Sequence, residues 1–122
     1  MVDFQLTEEQ IMIRDMAREF SEEEVLPHAE EWDREGTYPR DAITKAHELG
    51  LLNVTIPEKY GGAGMSTVDE MVICEELSRG DPGFGTASYH TMLASFPILT
   101  GGTEEQKAEY LGRVTEGKLA AY

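Results

Sequence analysis

The chain has 122 residues, 40% hydrophobic and 28% charged, which bounds it to one ordinary globular domain rather than a disordered segment. Twenty-four acidic against ten basic residues give a formal net charge of −14. No Lys/Arg stripe is present to meet a polyanion, which argues against nucleic acid and anionic membrane as partners.

No apolar run approaches the ~18–20 residues that cross a bilayer. The start, MVDFQLTEEQ, lacks a basic region followed by an apolar stretch, so no secretory signal is expected. The single cysteine, Cys74, excludes an internal disulfide and fits a reducing compartment, which predicts a cytoplasmic protein. Heavy acidity with few lysines fits a high-salt cytosol, where self-repulsion is screened, and equally a generally acidic bacterial protein.

The first helix begins at Thr7, whose spacing to Gln10 is that of a capping box. Ile13, Met16, Ala17 and Phe20 then recur on one face. Pro27 forces a break or opens a second helix, which runs through Trp32 and ends before Gly36. Pro39 opens a third with Ala42, Ile43, Ala46 and Leu49 on its inner face and Gly50 as its stop. Val54, Thr55 and Ile56 favour extended backbone, and Tyr60-Gly61-Gly62-Ala63-Gly64 cannot be helix. Ser66 and Asp69 cap a fourth helix that runs to about Arg79, with Gly80 as its stop. After an Asp81-Pro82-Gly83 turn, a fifth spans about Phe84 to Leu99, interrupted or kinked near Pro97. Thr103 and Gln106 start a sixth. Beyond Gly117 the run Leu119-Ala120-Ala121-Tyr122 resembles the opening of a strand without a partner. The expected fold is all-α, an up-down bundle of about six helices ending at the start of a β-strand.

Candidate chemistry is sparse. His28, His47 and His90 have no metal-ligand spacing, and no metal site is expected. The glutamate pairs mostly occupy first helical turns or solvated faces. Glu75, four residues after Met71 on the expected inward face, stands out as a candidate buried, paired carboxylate. Cys74 has apolar and acidic neighbours, which raise a thiol pKa and predict an inert core residue. Gly61 to Gly64 lacks the Lys-Ser/Thr of a phosphate loop and reads as a tight turn. The fifth helix is unusual: from Phe84 to Phe96 (FGTASYHTMLASF) it carries no charge. Such a helix must be covered on most sides, by its own bundle or by a further domain, subunit or ligand.

The order LTEEQ…REF…EWD, then ELGLLNVTIPEKYGGAGMS, EELSRGDPG and GTEEQKAEYLGRVTEGKLAAY resembles the N-terminal helical domain of the acyl-CoA dehydrogenases over essentially the whole chain. The blocks Gly50–Gly64 and Gly102–Leu111 carry it. The resemblance implies a flavoprotein that desaturates the Cα–Cβ bond of an acyl-CoA thioester. In that chemistry a glutamate takes the α-proton while the β-hydride passes to the flavin of FAD. It further implies a middle β-barrel and a C-terminal helical domain that this chain does not include, usually a homotetramer, and electron-transfer flavoprotein as acceptor. The catalytic glutamate belongs to the C-terminal portion, so no catalytic residue is assigned here. Tyr122 matches the aromatic position opening the flavin-contacting stretch. Thr86, Tyr89 and Leu93 match the helix lining the distal acyl pocket, and Tyr89 is bulky and polar enough to imply a short or polar-tipped acyl group. Two rivals stand beside this reading. One is another flavoenzyme of the superfamily, such as a nitroalkane oxidase or a flavin-dependent monooxygenase. The other is a stand-alone helical interaction module.

Overall fold

A computed structural model describes residues 4–121. Six α-helices are present among them: α1 (Glu8–Phe20), α2 (Ala29–Glu35), α3 (Arg40–Glu48), α4 (Thr67–Gly80), α5 (Pro82–Gly101) and α6 (Glu104–Thr115). No β-strand occurs among the described residues. The all-α expectation therefore holds.

The helix starts obey side-chain chemistry. In α1 the Gln10 N–H donates to Thr7 Oγ1 at 3.2 Å, and the Thr7 N–H donates to Gln10 Oε1 at 3.1 Å. Ser66 with Asp69, and Thr103 with Gln106, repeat the reciprocal pattern in α4 and α6. Each box satisfies two of the amide donors a helix start would leave orphaned. Two of the boxes are joined, because Gln10 Nε2 donates to Asp69 Oδ1 at 2.8 Å. The Ser66 hydroxyl, followed by Gln10, holds the Asp69 carboxyl below its ordinary range.

Several boundaries differ from the sequence reading. Pro27 takes the second of its two expected roles, opening a turn: α1 passes through a π turn (Ser21–Val25) and a 3₁₀ turn (Leu26–His28) into α2. A proline in the first turn loses no helical hydrogen bond. Val54 and Ile56 are not extended but lie in turns, with 2% and 0% exposure, because the described residues hold no neighbouring strand and they plug the core instead. Leu49, expected inside, is 50% exposed. Gly80 is the last residue of α4 rather than a left-handed stop. A Cβ there would lie 2.3 Å from Ser21 Oγ, so the glycine lets α4 approach the π turn. Asp81 caps α5 directly, accepting from the Phe84 N–H at 2.7 Å, and Pro82 is already helical. Pro97 lies within α5 without interrupting it. Residues 118–121 form no strand; the Thr91 hydroxyl bonds the Ala120 backbone.

α4 lies between α1 and α5, and α6 packs on α5. One core cluster gathers Ala17, Phe20, Ile43, Ile73, Leu77 and Phe84 under α1, α3, α4 and α5. A second gathers Ile56, Tyr60, Met92, Leu111 and Val114 between α5, α6 and the 56–60 segment. α5 serves both, which fixes its orientation and decides which of its faces is left over.

Candidate substrate-pocket face

α5 buries Phe84, Gly85, Ser88, Thr91, Met92 and Ser95. Two of its buried hydroxyls are satisfied by the helix itself, Ser88 donating to Gly85 O at 3.0 Å and Ser95 to Thr91 O at 2.7 Å, while that of Thr91 bonds the Ala120 backbone. That back-bonding lets small polar side chains enter a core without unpaired groups. The opposite face is open. Thr86 and His90 are exposed, Leu93 is 38% and Phe96 57% exposed. The expectation that this uncharged helix is covered on most sides is therefore met on one side only. Within this chain the other side presents to solvent a strip free of Asp, Glu, Lys and Arg, in a molecule whose remaining surface is dominated by carboxylates.

The three residues that the resemblance implies at the acyl pocket lie along this helix. Thr86 sits one turn into the helix, its hydroxyl donating to Pro82 O at 2.9 Å. Leu93 stands two turns further along. Tyr89, between them, is half-buried and packs against the second core cluster. Burial, followed by the charge of Glu70 and that of Cys74, pushes its phenol up, so Tyr89 presents a neutral hydroxyl.

Two carboxylates beneath this region escaped the sequence reading. Glu75, the expected buried acid, is exposed. The error was one of phase: Met71 is itself 43% exposed, so a position four residues on from it faces water. Glu70 and Glu76 are buried instead, at 7% and 5% exposure. Their signal was available, since both are in phase with Ile73 and Leu77 on the inner stripe. Glu76 receives a two-pronged contact from Arg18, Nη2 to Oε1 at 2.6 Å and Nε to Oε2 at 3.0 Å. The Arg18 hydrogen bond, outweighing desolvation, holds the Glu76 carboxyl below its usual range. Glu70 has no cationic partner; burial pushes its carboxyl up, opposed only by the Thr55 hydroxyl.

The other candidates fall elsewhere. Tyr122 lies outside the described residues. His28 is exposed and stacked on Trp32 at 5.6 Å, His47 is half-buried, and His90 is exposed. Cys74 is half-buried, its Sγ 3.9 Å from Ser78 Oγ. The glycine loop is committed to the chain's own atoms: a Cβ on Gly62 would lie 1.9 Å from Ile56 O, and one on Gly61 2.9 Å from Thr115 Oγ1. It packs inward as a tight turn. Tyr60, from the same loop, donates to Glu104 Oε2 at 2.8 Å, and Lys59 reaches the same oxygen at 3.0 Å. The two blocks that carried the resemblance, Gly50–Gly64 and Gly102–Leu111, are thus bonded to each other.

The sequence model described as Acyl-CoA dehydrogenase, N-terminal domain, matches residues 7–118. The chain belongs to the acyl-CoA dehydrogenase family. Among its relatives is a probable medium-chain specific acyl-CoA dehydrogenase of Caenorhabditis briggsae, 42% identical over 99% of this chain and 30% of that protein. A chain from the structural study of the electron transferring flavoprotein of Acidaminococcus fermentans is 44% identical. Its TM-score is 0.86, over 95% of this chain and 31% of that one. An acyl-CoA dehydrogenase of Bacillus anthracis, solved in complex with FAD, is 36% identical with a TM-score of 0.85, over 98% of this chain and 21% of that one. The domain thus spans about a fifth to a third of the length of these relatives. Among the described residues, no helix is long and apolar enough to cross a membrane.

Proposed function

We propose that this domain is the N-terminal helical part of a cytoplasmic FAD-dependent acyl-CoA dehydrogenase, in which α5 forms a wall of the acyl pocket. The observation that carries this reading is the exposed uncharged strip of α5 in a family-matched domain otherwise rich in acids. A hydrocarbon chain lies against such a strip at a gain of about 25 cal/mol per Å² buried, whereas charged side chains there would have to be stripped of water. Thr86, Tyr89 and Leu93 contact the acyl group, and Tyr89 limits its length and polarity. Tyr122 is the flavin contact of this domain. The α-proton base comes from outside residues 1–122, electrons leave to an electron-transfer flavoprotein, and the protein assembles as a homotetramer.

The test uses the intact gene product. It is expected to purify yellow, with flavin absorbance that bleaches on adding a short-chain acyl-CoA, and to pass electrons to electron-transfer flavoprotein. Tyr89→Ala is expected to shift the kcat/KM optimum toward longer acyl chains while leaving flavin content unchanged. A colourless protein without affinity for FAD overturns the reading. Flavin content with no bleaching by any acyl-CoA would transfer the domain to another chemistry of the superfamily.

A further inference from the structure

Behind Tyr89, on the side away from the exposed strip, α4, α5 and the 51–53 segment enclose a crevice of about 20 Å³. Asn53, Glu70, Cys74, Ser88, Tyr89 and Met92 are among its lining residues. Two of these residues carry a buried oxygen without a hydrogen-bond partner among the described residues, Glu70 Oε1 and Asn53 Oδ1. Glu70 is 7% exposed, and its other oxygen accepts from Thr55 Oγ1 at 3.3 Å. The Thr55 hydroxyl lies equally 3.3 Å from Met92 Sδ, so its single proton is shared and no further donor reaches the carboxyl. Asn53 holds a left-handed backbone, φ 57°, a conformation that asparagine tolerates better than most residues. The turn thereby brings a carboxamide, not an apolar side chain, to the lining of the crevice that Glu70 also lines.

Buried polar atoms in native proteins find partners, and one water needs roughly 10–15 Å³ of such space together with two or more polar contacts. We propose that this crevice is a binding site for one hydroxyl group, held between Glu70 Oε1 and Asn53 Oδ1. The hydroxyl is that of a single water, or that of a hydroxyl-tipped acyl chain reaching past Tyr89. The second source rests on the acyl-pocket reading above; the first does not. Both oxygens accept, so a water gives one hydrogen to each, while an alcohol tip gives its single hydrogen to one of them. A methyl tip satisfies neither, so the same crevice rejects an unsubstituted chain.

Crystal structures of the intact gene product, alone and with acyl-CoA ligands of equal length ending in methyl or in hydroxyl, test the site. The expected result is an ordered water within hydrogen-bond distance of Glu70 and Asn53. It is lost in Glu70→Leu, and in Asn53→Gly, a change suited to the positive φ. The hydroxyl-tipped ligand displaces the water and gains about 2- to 10-fold in kcat/KM over its methyl twin, a preference that both variants abolish. An ordered water with no preference between tips supports the site with water as its occupant. A dry crevice that excludes both tips, or occupancy unchanged in both variants, overturns the proposal. Failure to oxidise any acyl-CoA would sink the proposed function while leaving the water result to decide this one.

Discussion

Glu70 and Glu76 are six residues apart on one helix and are driven in opposite directions. Glu76 meets a guanidinium and is held low; Glu70 meets only a shared hydroxyl and is pushed up. The pH consequences have opposite signs. For Glu76 the folded value lies below the unfolded one, so its stabilisation is complete above the ordinary carboxylate range and is lost as pH falls through the depressed value. Glu76→Gln is expected to lower the melting temperature at neutral pH, with the gap to the parent closing on acidification. For Glu70 the folded value lies above the unfolded one, so the parent loses stability as pH rises from the ordinary range through the raised value. Glu70→Gln is expected to remove that decline, as followed by thermal melts across an acid-to-neutral series. Phe84, fully buried with ring centroids 6.1 Å from Phe20 and 6.0 Å from Trp32, is the apolar counterpart. Phe84→Ala should cost about 3–5 kcal/mol in urea unfolding, the range for emptying an aromatic site in a packed core.

At the scale of the elements, the capping boxes were legible because each is written in four consecutive residues. Contacts between helices were not. Gly85 sits where α5 crosses α4: a Cβ there would lie 2.1 Å from Ser78 Oγ, 2.9 Å from its Cβ and 3.0 Å from its Cα. Gly112, in α6, faces open space. Gly85→Ala is therefore expected to destabilise by about 1–3 kcal/mol through forced separation of the helices. Gly112→Ala is expected to stabilise by about 0.5–1 kcal/mol through helix propensity alone. Equal effects of the two substitutions in denaturant titrations would contradict the packing described. The misreadings belong to this scale too. Val54 and Ile56 carry strand propensity, but a strand needs a neighbour, and the burial offered by the core took precedence. Gly80 has the composition of a helix stop and the role of a spacer.

For the molecule as a whole, the net charge of −14 means that most carboxylates have no basic partner. Self-repulsion then opposes the compact state, and added salt screens it over roughly 10 Å at 0.1 M and less above. The melting temperature is expected to rise as KCl is taken from dilute buffer to molar concentration; a flat response would remove high-salt adaptation as the reason for the acidity. The same surplus makes the uncharged strip of α5 conspicuous. Thr86, Tyr89 and Leu93 could be named as its candidates because their spacing puts them on one side of a single helix. Glu70 and Asn53 could not be joined in that way. They lie on different elements, and only the docking of α5 over α4 and the 51–53 turn closes them into one crevice.

The sequence by itself determined the helices, their caps, the family and the charge-free stretch of α5, since all of these rest on local spacing or on contiguous motifs. Tertiary structure alone decided which buried glutamate meets a guanidinium, which glycines are spacers and which residues close into one crevice. Burial is a property of what packs across a residue, and no periodicity within one helix records the phase of its neighbour.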